Sequence, residues 1–215
     1  MSKAEKRIVV LISGSGTNMV NIAEHCEAGR IAGDVVAVIS NKANAGGLQK
    51  AEAMDISTAV LEHTHFDSRE AYDDELAKLV DSFSPDVIVL AGFMRILSAD
   101  FVRRFTGKLI NIHPSLLPKY KGMHTHQRAL EAGDKEHGVS VHFVNEELDG
   151  GPVILQARIP IFEGDTAEDL QERVHEQEYR IYPLVINWLC LGRLKLTDKG
   201  AEMDGQLLPA EGYAS

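Results

Sequence analysis

The chain has 215 residues, 44% of them hydrophobic and 25% charged, which excludes wholesale disorder and allows a core without disulfide or metal staples. Its formal net charge of −10 disfavours binding to a nucleic-acid backbone, so an anionic substrate would need a locally positive pocket. Two cysteines, Cys26 and Cys190, both in apolar helical patterns, argue against a disulfide framework; buried packing in a reducing compartment, the cytoplasm, is expected.

Lys3, Lys6 and Arg7 followed by the apolar run Ile8 to Ile12 resemble the start of a signal peptide. The run is too short for one and ends in Ser-Gly-Ser-Gly, so Arg7 to Ser13 is predicted as a buried strand. A helix is predicted from Asn18 to Ala28, a strand from Val35 to Ser40, a helix from Gly47 to Met54 and a short strand from Thr58 to Leu61. Ser68 to Phe83 is a strong helix with Tyr72, Leu76, Leu79, Val80 and Phe83 on one face. Asp67 and Glu70 supply its expected capping box. Asp86 to Ala91 reads as an apolar strand, Ala99 to Phe105 as a helix and Leu109 to His113 as a strand. This alternation implies a parallel sheet covered on both faces.

The second half changes character. Val139, Val141 and Phe143 alternate with Ser140 and His142, the pattern of a half-buried strand, and Ile154 to Phe162 is the next. The connection from Asn145 to Pro152 is too short for a crossover helix, so the two are expected to form a hairpin. Thr166 to Leu191 is one long helix, expected to kink at Pro183 and to stop at Gly192. The tail after Gly200 reads as loosely ordered. No run approaches the roughly 20 apolar residues that span a bilayer. The fold class is therefore α/β: a mostly parallel twisted sheet with helices on both faces, a nucleotide-binding N-terminal half, and a C-terminal antiparallel hairpin and long helix. A single domain over 1–215 is expected, with a phosphate-binding half near 7–107, a catalytic half near 108–199 and the tail 200–215.

Ligands bind outside the carboxyl ends of parallel strands, so the strand tips carry the functional argument. The first tip, Ser13-Gly-Ser-Gly-Thr-Asn18, turns backbone N–H groups toward a helix start and suits a phosphate. It lacks the third glycine of a dinucleotide fingerprint and the lysine of a P-loop, so a plain tight turn stays open. The tip Gly92 to Leu97 carries Phe93, Met94, Ile96 and Leu97, either an apolar ligand wall with Arg95 near an anion or core beneath a loop. Asn111 and His113 stand at i and i+2 before Pro114, so a carboxamide donor and an imidazole project together at the sheet edge. That pair suits acyl transfer, with a donor for an oxyanion and a group that moves protons near neutral pH. Asp149, among Gly150 and Gly151, could orient or polarise His113, or simply make an Asx turn. Nine histidines include two close pairs, His63/His65 and His124/His126, but no zincin helix or cysteine cluster, so no metal is expected. There is no Gly-x-Ser-x-Gly elbow for a serine hydrolase.

Taken in order, Ser13–Asn18, Ala91-Gly-Phe-Met-Arg-Ile-Leu97, Asn111-Ile-His-Pro-Ser-Leu-Leu-Pro118, Leu148-Asp-Gly-Gly-Pro152 and Asp204-Gly-Gln-Leu-Leu-Pro209 resemble the formyltransferases that use 10-formyltetrahydrofolate. The likeness runs from about residue 7 to residue 213 and points to the branch that formylates glycinamide ribonucleotide in purine biosynthesis. The resemblance implies attack of the glycinamide amine on the formyl carbon, through a tetrahedral intermediate served by Asn111 and His113, with Asp149 in support of His113. It further implies that Gly16, Thr17 and Asn18 hold the ribotide phosphate and that Glu178 contacts the ribose. Arg69, Met94, Arg95, Ile96 and Leu97, with Asn111, would line the folate site. The folate is a cosubstrate; neither nucleic acid nor membrane is an expected partner, and the expected state is a monomer or weak homodimer. A methionyl-tRNA formyltransferase would carry an extra tRNA-binding domain, and a formyltetrahydrofolate deformylase an N-terminal regulatory one. A non-catalytic nucleotide-binding module is the alternative of a different class, which the Asn111, His113 and Asp149 set disfavours.

Overall fold

The computed structural model describes residues 5–213. Lys3, from the signal-like start, and the last two residues of the tail lie outside them. The first half comprises β1 (Lys6–Ile12), α1 (Thr17–Glu27), β2 (Gly33–Ser40), α2 (Gly46–Ala53), β3 (Ser57–Val60), α3 (Arg69–Asp81), β4 (Val87–Leu90), α4 (Ala99–Arg104) and β5 (Leu109–His113). The second comprises α5 (Thr125–Glu131), β6 (Glu136–Phe143), β7 (Val153–Pro160), α6 (Ala167–Cys190), β8 (Leu194–Thr197), β9 (Gly200–Met203) and β10 (Gln206–Leu207).

Seven strands form one sheet in the order β3-β2-β1-β4-β5-β6-β7. The first five are parallel; β6 runs against β5, and β7 against β6, giving the expected hairpin. The chain winds outward from β1 through β2 and β3, then returns to the far side of β1 as β4. The tips of β1 and β4 therefore flank the point where strand order reverses, the place where open α/β sheets take ligands. β1 is apolar on both faces because both are covered. Ile8, Val10 and Ile12 pack with residues of α1, α2 and α6, whereas Val9 and Leu11 pack with α3 and α4.

Four local expectations change. Helix α3 is capped by Ser68, whose hydroxyl accepts from Ala71 N at 3.0 Å, and not by a box of Asp67 and Glu70. The cap must sit at the residue flanking the first helical turn, and that residue is Ser68. Helix α5 carries no apolar period, since only Thr125 and Ala129 are buried, and so gave no sequence signal. Strand β7 ends at Pro160, and Phe162 turns out to solvent at 59% exposure while its N–H bonds Asp165. The tail is ordered through residue 213: β8, β9 and β10 form an antiparallel sheet that buries Leu194, Ala201 and Met203, and Tyr213 N donates to Ile154 O at 2.7 Å.

Helix α6 starts at a Thr166/Asp169 capping box and continues through Pro183. Proline has no N–H for the carbonyl four residues back, Tyr179 O. Asn21 of α1 supplies the missing donor, with Nδ2 at 2.9 Å from that oxygen. The helix ends as expected at Gly192, where Arg193 N bonds Trp188 O and Gly192 N bonds Leu189 O, each at 3.0 Å.

Candidate active site

The Ser13–Asn18 turn is set by two glycines. Gly16 has φ +70°, and a Cβ there would stand 2.6 Å from Gly47 Cα, so the turn crosses the start of α2 at a distance only glycine allows. Gly47 N donates to Gly14 O at 3.0 Å and Lys50 Nζ to Ser15 O at 2.7 Å, which fixes the crossing. Helix α1 then begins at Thr17 with no side-chain cap and no acidic residue in its first turn, leaving its N-terminal donors suited to an anion. Asn18 Nδ2 donates to Glu178 Oε2 at 3.0 Å across the gap to α6. Asn18 Oδ1 is buried with no partner, and burial raises the Glu178 carboxyl above its ordinary range against the opposing effects of His175 and Asn18. The Asn18 bond thus brings the start of α1 and Glu178 together.

Loop 92–97 divides its apolar residues. Phe93 and Leu97 pack against the α3 and α4 core layer, while Met94 and Ile96 are 65% and 56% exposed. Core beneath the loop holds for Phe93 and Leu97, and Met94 and Ile96 form an exposed apolar surface. The Arg95 guanidinium lies 4.5 Å from the centre of the Tyr72 ring, and its Nε is buried without a partner. Asp73, buried in α3, accepts from Ser98 N at 2.5 Å and holds the far end of the loop. Burial raises the Asp73 carboxyl above its ordinary range, opposed by its Ser98 bonds and by the charges of Arg95 and Arg69. Arg69 stands exposed on the first turn of α3, its guanidinium 3.9 Å from Glu70.

Strand β5 carries the third tip. Leu109, at its start, packs into the α3 and α4 layer; two and four residues on, the same face carries Asn111 and His113. His113 Nε2 donates to Tyr120 O at 2.8 Å, which fixes the ring, and Nδ1 faces Asp149 Oδ2 at 3.5 Å, an ion-pair separation. Both side chains are nearly closed to solvent, at 8% and 7% exposure. Asp149 is itself held by Gly122 N, 2.9 Å from Oδ2. Its loop can fold back this tightly because residue 151 is glycine: a Cβ there would lie 1.7 Å from Phe143 O.

The sequence reading missed four residues of this neighbourhood. His142 pairs with Asn111 across the β5–β6 ladder, so the two share a face. Its Nδ1 donates to Phe143 O at 2.9 Å, leaving Nε2 to accept from Asn111 Nδ2 at 3.5 Å, with Asp149 Oδ1 3.8 Å away. Burial lowers the His142 pKa, so the ring is the neutral acceptor that this bond needs. Its place in the alternating strand, opposite Asn111, was the available signal. Tyr182, fully buried on α6, donates to Leu90 O at 2.7 Å and lies 3.3 Å from Ile110 O, which ties α6 to β4 and β5. Finally, His126 Nδ1 and His137 Nε2 meet at 2.9 Å between α5 and β6, a pair that sequence spacing does not suggest. The charges of His175 and His113 both bear on His126, and that of His175 also bears on Glu178.

Among the described residues no group of three or more His, Cys, Asp or Glu could hold a metal ion, and no helix is long and apolar enough to cross a membrane. Cys26 and Cys190 are free, and burial raises both thiols to about 12, which suits packing and not nucleophilic attack.

A donor, two imidazoles and a buried carboxylate beside a phosphate-type turn are the kinds of group that acyl-type transfer employs. A family model described as formyl transferase matches residues 6–186. The phosphoribosylglycinamide formyltransferase of Escherichia coli is 59% identical over 208 residues, covering 97% of this chain and 98% of that protein. The Haemophilus influenzae protein of the same name is 52% identical over 210 residues, covering 98% and 99%. The solved phosphoribosylglycinamide formyltransferase of Coxiella burnetii superposes with a TM-score of 0.93 at 49% identity, covering 97% and 98%. This chain belongs to the formyl transferase family.

Proposed function

We propose that this chain transfers the formyl group of 10-formyltetrahydrofolate to the amine of glycinamide ribonucleotide, a step of purine biosynthesis. The observation that carries the reading is the packing of Asn111, His113, His142 and Asp149 on one face of the β5–β6 ladder. Relatives that match this chain almost end to end bear the name of that activity. The orphaned Asn18 Oδ1 and the uncapped start of α1 suit a ribotide, Gly16, Thr17 and Asn18 taking its phosphate and Glu178 its ribose. The exposed side chains of Met94 and Ile96, with Arg95, Leu97, Arg69 and Asn111, suit the flat ring and acidic tail of a folate.

In this reading His142, neutral, fixes the Asn111 amide through one N–H and leaves the other for the formyl oxygen as negative charge develops on it. His113, oriented by Tyr120 O and opposed by Asp149, carries the proton that the attacking amine releases to N10 as the bond from the formyl carbon to N10 breaks and tetrahydrofolate leaves. The folate is consumed as a cosubstrate, and no step requires a metal. The two free cysteines support a cytoplasmic enzyme, and the net charge of −10 supports one without a nucleic-acid partner; a monomer or weak homodimer with no membrane partner completes the reading. A turnover assay with glycinamide ribonucleotide and formylfolate tests it. Asn111→Ala should lower kcat by about a hundredfold, the usual size for one lost oxyanion donor, and Asp149→Asn should lower kcat with smaller changes in either KM. Formylfolate hydrolysis without product transfer, or an Asn111→Ala enzyme with near-normal kcat, would refute the assignment.

A further inference from the structure

Two loops that carry different substrates in the reading above meet at one buried residue. Ser13 is the first residue beyond β1, 5% exposed, and opens the turn that leads to Asn18. Its N–H donates to Gly92 O at 3.1 Å. Its hydroxyl accepts from Met94 N at 2.8 Å and donates to Asn41 Oδ1 at 2.5 Å. Asn41, 2% exposed, follows directly after β2. One hydroxyl thus joins the tips of three strands, and every donor and acceptor it meets is satisfied. Among the described residues no other side chain bonds both loop 13–18 and loop 92–97. The other anchors act on each loop alone: Gly47 and Lys50 on the first, Asp73 on the second.

We propose that Ser13 is a positioning residue that sets the distance between the ribotide and folate half-sites. The inference rests on the assignment of the two loops to those two substrates. Bond formation needs the amine and the formyl carbon roughly 3–3.5 Å apart, and a shift of about 1 Å costs about a hundredfold in rate. Each substrate is gripped by its own loop, so each loop can keep its ligand while the gap between them changes. Removing the hydroxyl strands the buried Asn41 carbonyl oxygen and takes the side-chain partner from Met94 N, leaving the Gly92 O bond to Ser13 N to tie loop 92–97 to the first turn. Ser13 touches neither substrate in this scheme; it acts through the loops.

The test compares three ligands on wild type and Ser13→Ala: glycinamide ribonucleotide, a folate analogue with no transferable formyl group, and a compound in which the two are covalently joined. The joined compound reports the spacing, and the separate ones report each half-site. For Ser13→Ala each separate ligand should bind within about threefold of wild type, while the joined compound should weaken by about tenfold or more beyond the product of those two changes. The kcat should fall with it, the KM values should hold, and Ser13→Thr, which keeps a hydroxyl, should restore both. If Ser13→Ala does not fold, Asn41→Ala removes only the acceptor that orients the hydroxyl and carries the same comparison. A joined compound that weakens by no more than the product of the separate changes would overturn the role of Ser13. Failure of both separate ligands to bind the wild-type chain would instead overturn the assignment of the site.

Discussion

Acid should destabilise this chain through one buried histidine. His137 on β6 is 1% exposed, and its Nε2 lies 2.9 Å from Nδ1 of His126 on α5. Only one of two facing nitrogens can carry the hydrogen between them, so the contact requires at least one of the facing nitrogens to be unprotonated. Burial, followed by the charge of His126, pushes the His137 pKa from its ordinary 6.5 to about 4, with Asp134 pulling the other way. The unfolded chain therefore takes up a proton at His137 near 6.5, and the folded chain does so only near 4. Stability from this group is complete above 6.5 and is lost as the pH falls toward 4. The difference is worth about 3 kcal/mol, at about 1.4 kcal/mol per pH unit. That is a large part of the roughly 5–15 kcal/mol that holds a domain folded. His126 is shifted in the same direction by burial, whereas burial of Glu178 works in the opposite sense, so the absolute curve mixes several groups. A comparison of wild type with His137→Gln isolates the one of interest. Urea unfolding, followed by the fluorescence of the single tryptophan, Trp188, should be run from about pH 7 down to about pH 4.5. Wild type should lose about 2–3 kcal/mol more than the variant over that range. Two curves that fall in parallel would refute the argument.

Two further substitutions probe the frame around the site. Gly16→Val places a Cβ against Gly47 backbone at a positive φ, so the ribotide KM should rise by about tenfold or more while the folate KM moves far less; equal rises would show that the turn serves both substrates. Asn21→Ala leaves Tyr179 O without the donor that Pro183 cannot give and should cost about 1–2 kcal/mol in urea unfolding, but much less in a Pro183→Ala background; an equal loss in both backgrounds would mean that Asn21 does not replace the missing bond.

The parallel core was legible because it is dictated by local rules. Buried strands such as Ile8 to Ile12 are continuously apolar, Asn111 and His113 share a face because strand side chains alternate, and the tips of β1, β4 and β5 are marked by glycine or proline. The parts that were not legible depend on partners distant in sequence. His142 looks like the polar side of a half-buried strand until the antiparallel register sets it opposite Asn111. The His126 and His137 pair requires α5 to dock on β6, and α5 has almost no apolar face to announce itself. The donor that meets Tyr179 O beside Pro183 comes from Asn21, 158 positions away in the chain, which no reading of the helix alone contains. The tail was misjudged because its composition is polar, although the alternation of Leu194 with Leu196 and of Ala201 with Met203 is that of a hairpin.

The reversal of direction between β5 and β6 has a consequence for how the site can change. Every other proposed chemical group arrives on a strand or at its tip, and its position is tied to the core. Asp149 arrives on the excursion between β6 and β7, which doubles back over Phe143 and is clipped by Lys121 to Glu147 and by Gly122 N to Asp149. The carboxylate is therefore a separable module. An insertion or exchange within 145–152 would withdraw it while leaving Asn111, His113 and loops 13–18 and 92–97 in place. On such a scaffold the proton chemistry can be reworked independently of substrate recognition, and a hairpin connection is the unit through which that divergence would proceed.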